Sequence, residues 1–302
     1  MVNITHKQNS YRVAVAGASL TVSLPATIEA IENRRVPKGD VLECSRVAGL
    51  LAVKNTASVI PDCHPLPVEY CSIRHRIEGQ TIFIEVEVHT IYKTGVEVEA
   101  MHGAAITALT LYDMLKPLDP DVRIGEIRLL QKRGGKSDRR YEAGVLRVAL
   151  VVCSDSRSQQ PSEDVSGQMA TSRLAGWGLE VQYYKIIPDE EALIRQEAVQ
   201  LKEQGFDMVI FCGGTGLGPR DHTPDVIGQL IDTPIPGIME HARAYGHAYT
   251  PLSMLSRGVA GLWGNALFLT LPGSPRGVAE TLDAIFPQVL HLFQVRNGGG
   301  HG

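Results

Sequence analysis

Two domains of different class are predicted, an α+β domain over residues 1–143 and an α/β domain with a mostly parallel sheet over residues 144–302. Three observations carry this. Residues 81–98 alternate apolar and polar positions with many β-branched side chains, the pattern of a half-buried antiparallel strand. The second half instead runs strand, helix, strand, helix, strand, which indicates a parallel sheet. Its apolar stretches are followed by polar or glycine-rich loops, where ligands of such sheets bind beyond the strand ends.

Taken in order, a helix is expected across Lys38–Val59, with Lys38-Gly39-Asp40 supplying its start. The strand over 81–98 gives way to small and apolar residues at helical spacing from Ala100 to Leu115, ending before Pro117. Asp138–Gly144 reads as a short linker. Val145–Cys153 is a continuous apolar strand, Ser154–Gly167 a polar loop and Gln168–Trp177 a helix. Val181–Ile187, Glu190–Gln204 and Phe206–Cys212 follow as strand, helix and strand, the last entering Gly213-Gly214-Thr215-Gly216. The two halves do not repeat each other.

Composition excludes several functions. An apolar fraction of 44% and a charged fraction of 21% over 302 residues provide core enough for two folds. No apolar run reaches membrane-spanning length, and no basic segment with an apolar core opens the chain, so neither membrane insertion nor secretion is expected. A net charge of −4 gives no reason to expect nucleic acid binding. The five cysteines, Cys44, Cys63, Cys71, Cys153 and Cys212, are scattered without C-x-x-C spacing. That argues for reduced thiols in a cytoplasm rather than a disulfide framework or a zinc site. Residues 1–143 carry 18 Lys+Arg against 17 Asp+Glu, and the rest 11 against 16. Arg128, Lys132, Arg133, Lys136, Arg139 and Arg140 surround Gly134-Gly135. Such a cluster is a solvated face or a linker, or a polyanion site; the glycines lean it toward the last.

Three segments of the first half concentrate chemistry. Ile60–Pro67 is a proline-bounded turn displaying His64, although a lone histidine is more often structural than catalytic. In Thr94–Ala100, Glu97 and Glu99 share a face if the strand continues, and paired carboxylates repel unless they are solvated, meet a cation or share a proton. Asp113 and Lys116 are three apart and share a helical face. They form either a surface ion pair or an acid/base pair in which the carboxylate tunes the amine.

Met1-Val-Asn, Pro37–Asp40, Ile60–Pro67, Thr94–Ala100, Tyr112-Asp-Met and Leu129–Ser137 come in the order and spacing of the MoaC family, the cyclic pyranopterin monophosphate synthases, which residues 1–140 resemble. The resemblance implies a ferredoxin-like fold, a hexamer and active sites between subunits. It also implies conversion of a cyclised GTP derivative to cyclic pyranopterin monophosphate with loss of pyrophosphate, with no cofactor required. Lys116 is then the general acid/base and Asp113 its partner. His64, Glu97 and Glu99 orient substrate or transfer protons, while Arg12, Lys38, Lys132 and Lys136 bind the triphosphate. The family usually has Met between the glutamates and Cys before the lysine. Val98 and Leu115 stand there, both apolar, so no loss of activity is expected.

In the second half, Phe211–Asp225 holds a glycine loop that is neither a Walker A motif nor a dinucleotide fingerprint, since Pro219 stands where the last glycine is needed. Its glycines would let backbone N–H groups approach an anion. Cys153–Arg157, Ile187–Glu190, Gly213–Asp221, Ile235–Gly237, Leu255–Arg257 and Leu271–Pro275 recur in this order in the MoaB/MogA family, which residues 145–295 resemble. That resemblance implies a trimeric three-layer α/β protein in which ATP, with Mg²⁺, adenylylates molybdopterin. Asp189 and Asp221 match the acidic positions, as metal-binding or catalytic groups. Taken alone, Asp221 is equally an N-cap or a partner of Arg220, and Asp189 an Asx turn after Pro188. Ser154, Gly213, Gly214, Thr215, Gly216, Ser256, Pro272 and Gly273 are substrate-binding candidates.

The leading expectation is a homo-oligomeric, bifunctional molybdenum cofactor enzyme acting on small molecules, hexameric if the shared three-fold symmetry aligns. The alternative is the synthase fused to a non-catalytic module that binds a pterin or drives oligomerisation.

Overall fold

The computed structural model describes residues 1–135, 145–154 and 164–296. The chain divides into two compact units, Met1–Arg140 and Tyr141–Gly302. The boundary expected between residues 143 and 144, and the linker Asp138–Gly144, lie outside the described residues.

The first unit runs β1 (Ser10–Thr21), α1 (Pro25–Glu32), α2 (Val41–Lys54), α3 (Thr56–Val59), β2 (Tyr70–Glu78), β3 (Thr81–Tyr92), α4 (Glu97–Leu115) and β4 (Arg123–Arg133). The strands form an antiparallel sheet of order β2-β3-β1-β4. With two crossover helical segments between β1 and β2 and between β3 and β4, this is a ferredoxin-like arrangement. Every second residue of β1 (Ala14, Ala16, Ala18, Leu20) and of β3 (Ile82, Ile84, Val86, Val88) is buried beneath the helices. Helices α2 and α4 touch through glycines. A Cβ on Gly49 would lie 2.1 Å from Thr107 Oγ1, and one on Gly103 2.6 Å from Val53 Cγ2.

The expected helix over 38–59 is interrupted. Asp40 caps it by accepting the Glu43 N–H at 3.1 Å, and Asn55 closes it before a separate turn at α3. The strand expected to reach 98 ends at Tyr92. Alternation stops there at Thr94-Gly95, and the small residues after Val96 favour a helix that starts at Glu97, three residues earlier than expected.

The second unit runs β5 (Val148–Cys153), α5 (Val165–Ala175), β6 (Val181–Ile187), α6 (Glu191–Glu203), β7 (Met208–Cys212), α7 (Thr223–Leu230), β8 (Thr233–Pro234), α8 (Pro236–His247), β9 (Ala260–Trp263), β10 (Ala266–Leu271), α9 (Pro275–Ile285) and α10 (His291–Arg296). The sheet order is β6-β5-β7-β10-β9-β8, parallel from β6 to β10 and antiparallel at the β9 and β8 edge. Strands β5, β7 and β10 are buried at every residue because helices cover both faces. Leu174, Met239 and Leu282 of α5, α8 and α9 pack on one face. Ile194, Leu201 and Ile227 of α6 and α7 pack on the other, giving three layers. Strand β5 starts at Val148 rather than Val145, which is fully exposed, and α5 starts at Val165 on an Asp164 cap that accepts the Gly167 N–H.

Candidate functional site

Helix α4 carries a charged group at each end. At its C-terminus, Asp113 is gripped by two ammonium groups. Lys38 Nζ donates to Oδ2 at 2.8 Å and to the Asp113 carbonyl at 2.8 Å, and Lys116 Nζ pairs with Oδ1 at 2.8 Å. Lys116 is the residue on which the helix ends, which brings it back over Asp113 one turn earlier. The bonds from Lys116 and then Lys38 hold the Asp113 carboxyl down at about 2, and the Asp113 bond raises the Lys116 ammonium above its ordinary value. All three side chains are substantially exposed, so the group is open to an anionic ligand.

At the N-terminus of α4 stand Glu97 and Glu99. They do not share a strand face as expected. Two residues apart on a helix they point to different sides, because each residue turns about 100°. Glu97 meets Lys132 of β4 in an ion pair. Glu99 is turned inward, 2% exposed; burial raises its carboxyl above the ordinary value, and the bond from Cys63 partly offsets this. Cys63 Sγ–H donates to Glu99 Oε1 at 3.1 Å, while Glu99 Oε2 is buried without a hydrogen-bond partner. Such an enclosed acceptor costs about 1–3 kcal/mol. His64, beside Cys63, donates from Nε2 to the Val2 carbonyl at 2.8 Å, so the first residues of the chain close over it.

Arg12 of β1 lies against the turn at Gly134-Gly135. Its Nη1 sits 2.1 Å from where a Cβ on Gly135 would be, its Nε is buried without a partner, and both glycines have positive φ. Lys136 lies outside the described residues. From the helical rise, the Glu97–Glu99 and Asp113–Lys116 groups are about 20–30 Å apart along α4. One copy of the unit therefore does not bring all its candidates together.

In the second unit the glycine loop leaves β7 at the carboxyl edge of the sheet. Gly213 has φ 108° and its N–H is taken by the Leu271 carbonyl at 3.0 Å, so this amide does not face a ligand as expected. A Cβ on Gly213 would lie 2.2 Å from the Cys153 carbonyl oxygen, and one on Gly273 3.4 Å from Gly213 Cα. Three chain segments meet here in a space only glycine allows. Gly214 has φ 60°, and a Cβ there would lie 2.3 Å from Asp189 Oδ2 and 2.4 Å from Thr223 Oγ1. Asp189 thus packs directly on the loop. Asp221 is not the N-cap of α7, a place held by His222; its Oδ2 accepts the Gly218 N–H at 2.8 Å.

A cavity of about 370 Å³ opens beside the loop, lined by Thr215, Gly216, Ser256, Pro272, Arg243 and Arg276 among others. Ser256 Oγ accepts the Gly258 N–H at 3.5 Å, the Pro272 carbonyl accepts Cys212 Sγ–H at 3.3 Å, and the Gly273 carbonyl accepts Ser166 Oγ–H at 2.7 Å. Ser154 leaves β5 with its N–H donated to the Ile187 carbonyl at 2.9 Å.

Arg257 is not among the site residues expected from the sequence. Its guanidinium donates to the Gly216 carbonyl at 2.8 Å, to the Asp221 carbonyl and to the Asp225 carboxylate at 2.9 and 3.1 Å. It ties the loop to α7. Its signal in the sequence is the motif Leu255-Ser-Arg257, in which Arg257 is the five-donor side chain next to the candidate Ser256.

Among the described residues there is no group of three or more His, Cys, Asp or Glu placed to hold a metal. Asp189 and Asp221 flank one loop, and Mg²⁺ is commonly held by one or two carboxylates with phosphate oxygens and water completing the shell. Both carboxylates are hard oxygen donors, the kind that ion takes. No helix of the described residues is long and apolar enough to cross a membrane.

Residues 1–135 match the model of the MoaC family and residues 149–291 that of a domain described as "Probable molybdopterin binding domain". A protein of Chlorobaculum tepidum named "Molybdenum cofactor biosynthesis bifunctional protein" is 35% identical over 302 residues, covering 100% of this chain and 96% of its own. A "Cyclic pyranopterin monophosphate synthase" of Nostoc sp. is 46% identical over 139 residues, 45% of this chain and 82% of its own. The crystal structure of the molybdopterin biosynthesis enzyme MoaB of Thermus thermophilus is 38% identical, covering 51% of this chain and 97% of that one, with a TM-score of 0.48. The chain belongs to the family of bifunctional molybdenum cofactor biosynthesis proteins, a MoaC-family domain followed by a MoaB/MogA-type domain.

Proposed function

We propose that the first unit converts 3',8-cyclo-7,8-dihydro-GTP to cyclic pyranopterin monophosphate with release of pyrophosphate, and that the second adenylylates molybdopterin from ATP with Mg²⁺. The observation that carries the first assignment is the Asp113 carboxylate bonded at 2.8 Å by both Lys38 and Lys116. Departure of pyrophosphate needs positive charge and a proton at the leaving oxygen. Lys116, its acidity weakened by Asp113, rests as an ammonium and is suited to deliver that proton, with Lys38 beside it as a fixed cation. Arg12, Lys132 and Lys136 supply charge for the triphosphate. Glu97, Glu99 and His64 serve the ring rearrangement. No cofactor is required for this half.

The separation of the two charged groups along α4 supports active sites completed by a second copy within a homo-oligomer, a hexamer if the two units share a three-fold axis. The partners are small molecules, not nucleic acid or membrane. Five free thiols support a reducing, cytoplasmic setting.

In the second unit, Asp189 and Asp221 would hold Mg²⁺, which when bound offsets charge on the ATP phosphates. Thr215, Gly216, Ser256 and Pro272 line the cavity that would take the pterin. Arg257 keeps the loop closed on α7.

Lys116→Ala should lower conversion of the cyclic nucleotide by roughly 10²–10⁴-fold, the usual share of a general acid, and leave adenylylation intact. Normal turnover would refute the assignment. Asp221→Asn should abolish adenylylation with pterin binding retained. If the unaltered chain binds molybdopterin but yields no adenylylated product, the second unit is a binding module.

A further inference from the structure

We propose that Tyr184 is a positioning residue for the cavity of the second unit. Its hydroxyl, through Asp164 and the first turn of α5, holds the loop after β10 that forms one wall. The inference rests on the reading above that this cavity takes molybdopterin.

Three contacts in series carry it. Tyr184 stands on β6, the outer strand of the sheet, and is 42% exposed. Its hydroxyl nevertheless turns inward and donates to Asp164 Oδ2, and Asp164 is 1% exposed. The other oxygen of that carboxylate accepts the Gly167 N–H at 2.9 Å and so caps α5. In the same turn Ser166, fully buried, donates its hydroxyl to the Gly273 carbonyl at 2.7 Å. Gly273 lies between Pro272 and Ser274, which both line the cavity. An edge strand is thereby joined to the loop after β10, with β5 and β7 standing between them in the sheet.

The residues around the contact are shaped to it. A Cβ on Gly167 would collide with the Tyr184 hydroxyl and with Asp164 Oδ2, so glycine admits the phenol to the end of the helix. Strand β6 keeps its place without this contact, because it has its own ladder with β5 from Val148 to Cys153. The loop after β10 lies past the last ladder pair, Leu271 with Cys212, and is held by contacts such as that from Ser166. Removing the phenol hydroxyl takes a donor from a buried carboxylate, where the loss is costly. The carboxylate and the turn it caps then shift toward another donor, Ser166 moves with the turn, and the wall at Gly273 loosens. The effect falls on the pterin and not on the nucleotide.

The test uses the full chain and reads binding without turnover. Tyr184→Phe keeps the ring and should raise the Kd for molybdopterin about tenfold, the scale of one hydrogen bond to a charged group, while ATP with Mg²⁺ binds as before. Ser166→Ala should weaken molybdopterin as well. The double variant should bind no more weakly than the poorer single variant, because both act through one series of contacts. A phenol that merely stabilises the fold would lower the unfolding midpoint and leave the Kd unchanged, and that result overturns the proposal. Additive losses in the double variant overturn it too, as does an equal loss of ATP affinity. Molybdopterin bound by the unaltered chain without adenylylation, and more weakly by Tyr184→Phe, refutes the transferase reading alone. No binding of molybdopterin by the unaltered chain overturns both.

Discussion

The two units build their sites from different materials. The first relies on side-chain ions: Asp113 between Lys38 and Lys116 at one end of α4, Glu97 with Lys132 and Glu99 with Cys63 at the other. The second relies on backbone. Gly213 and Gly214, at positive φ, let β7, the end of β5 and the loop after β10 converge, and Arg257 fastens the result through main-chain carbonyls. Ionic sites tolerate small shifts of their scaffold but depend on each charge. A backbone site tolerates little displacement, although few of its side chains do chemistry. The first unit should therefore fail by loss of single charges, and the second by the addition of a single methyl group.

Gly214→Ala is the sharpest way to break that comparison. The new Cβ would lie 2.3 Å from an Asp189 oxygen and 2.4 Å from Thr223 Oγ1, on a backbone with φ 60°. The loop or Asp189 must move, and a misplacement near 1 Å costs roughly a hundredfold in rate. Adenylylation should fall by at least about that factor while cyclic nucleotide conversion is unchanged, measured side by side on the same preparation. An adenylylation rate within twofold of the unaltered chain would mean that the loop is not held as rigidly as its contacts indicate.

The contrast also explains what the sequence disclosed. The α+β class of the first unit and the parallel sheet of the second were legible because hydrophobic period 2 in β3 and unbroken apolar runs in β5 and β7 are local signals, whereas the ferredoxin-like arrangement was implied only by the resemblance to the MoaC family. The Asp113–Lys116 pair was legible for the same reason, three residues apart on one helix. The Lys38 contact spans 75 residues and the Cys63–Glu99 contact 36, and no spacing rule announces either. Alternation continuing through Val96 and Val98 suggests a strand face for Glu97 and Glu99. Thr94-Gly95 ended the strand, and the small residues that follow carried the helix. No spacing rule points to Arg257, because its partners are two main-chain carbonyls, which every residue has, and the carboxylate of Asp225, 32 residues away.

A second prediction concerns the scaffold of the ionic unit. Asp119 is fully buried after α4, and its carboxylate accepts from the Ser23 N–H at 2.6 Å, Ser23 Oγ at 2.6 Å, the Leu24 N–H at 3.0 Å and the Asp121 N–H at 3.2 Å. Burial pushes the carboxyl up, but these bonds outweigh it, and the folded value lies below the ordinary 3.8. A depressed carboxyl contributes stability that is fully present above the unfolded value and lost as pH falls through the folded one. Asp119→Asn should cost the first unit about 2 kcal/mol at neutral pH. The deficit relative to the unaltered chain should shrink below the unfolded value, near pH 4. Denaturant melts at pH 7 and pH 3 measure it; an equal deficit at both would exclude the charge as its source.

The smallest expected effect concerns the two places where this chain departs from the pattern it resembles, and it tests whether an ionic site needs a particular apolar neighbour. Val98 is 44% exposed between Glu97 and Glu99, whereas Leu115 is fully buried before Lys116. Restoring the family residue at the exposed position, Val98→Met, removes nothing from the core and touches no ion pair, so stability should change by less than about 0.5 kcal/mol. Its effect on turnover should be correspondingly slight if the carboxylates act through Lys132 and Cys63 rather than through the side chain between them. Steady-state kinetics with the cyclic nucleotide decides this. A severalfold gain or loss in kcat with unchanged stability would show that the intervening side chain touches substrate, and that the first site is not ionic throughout.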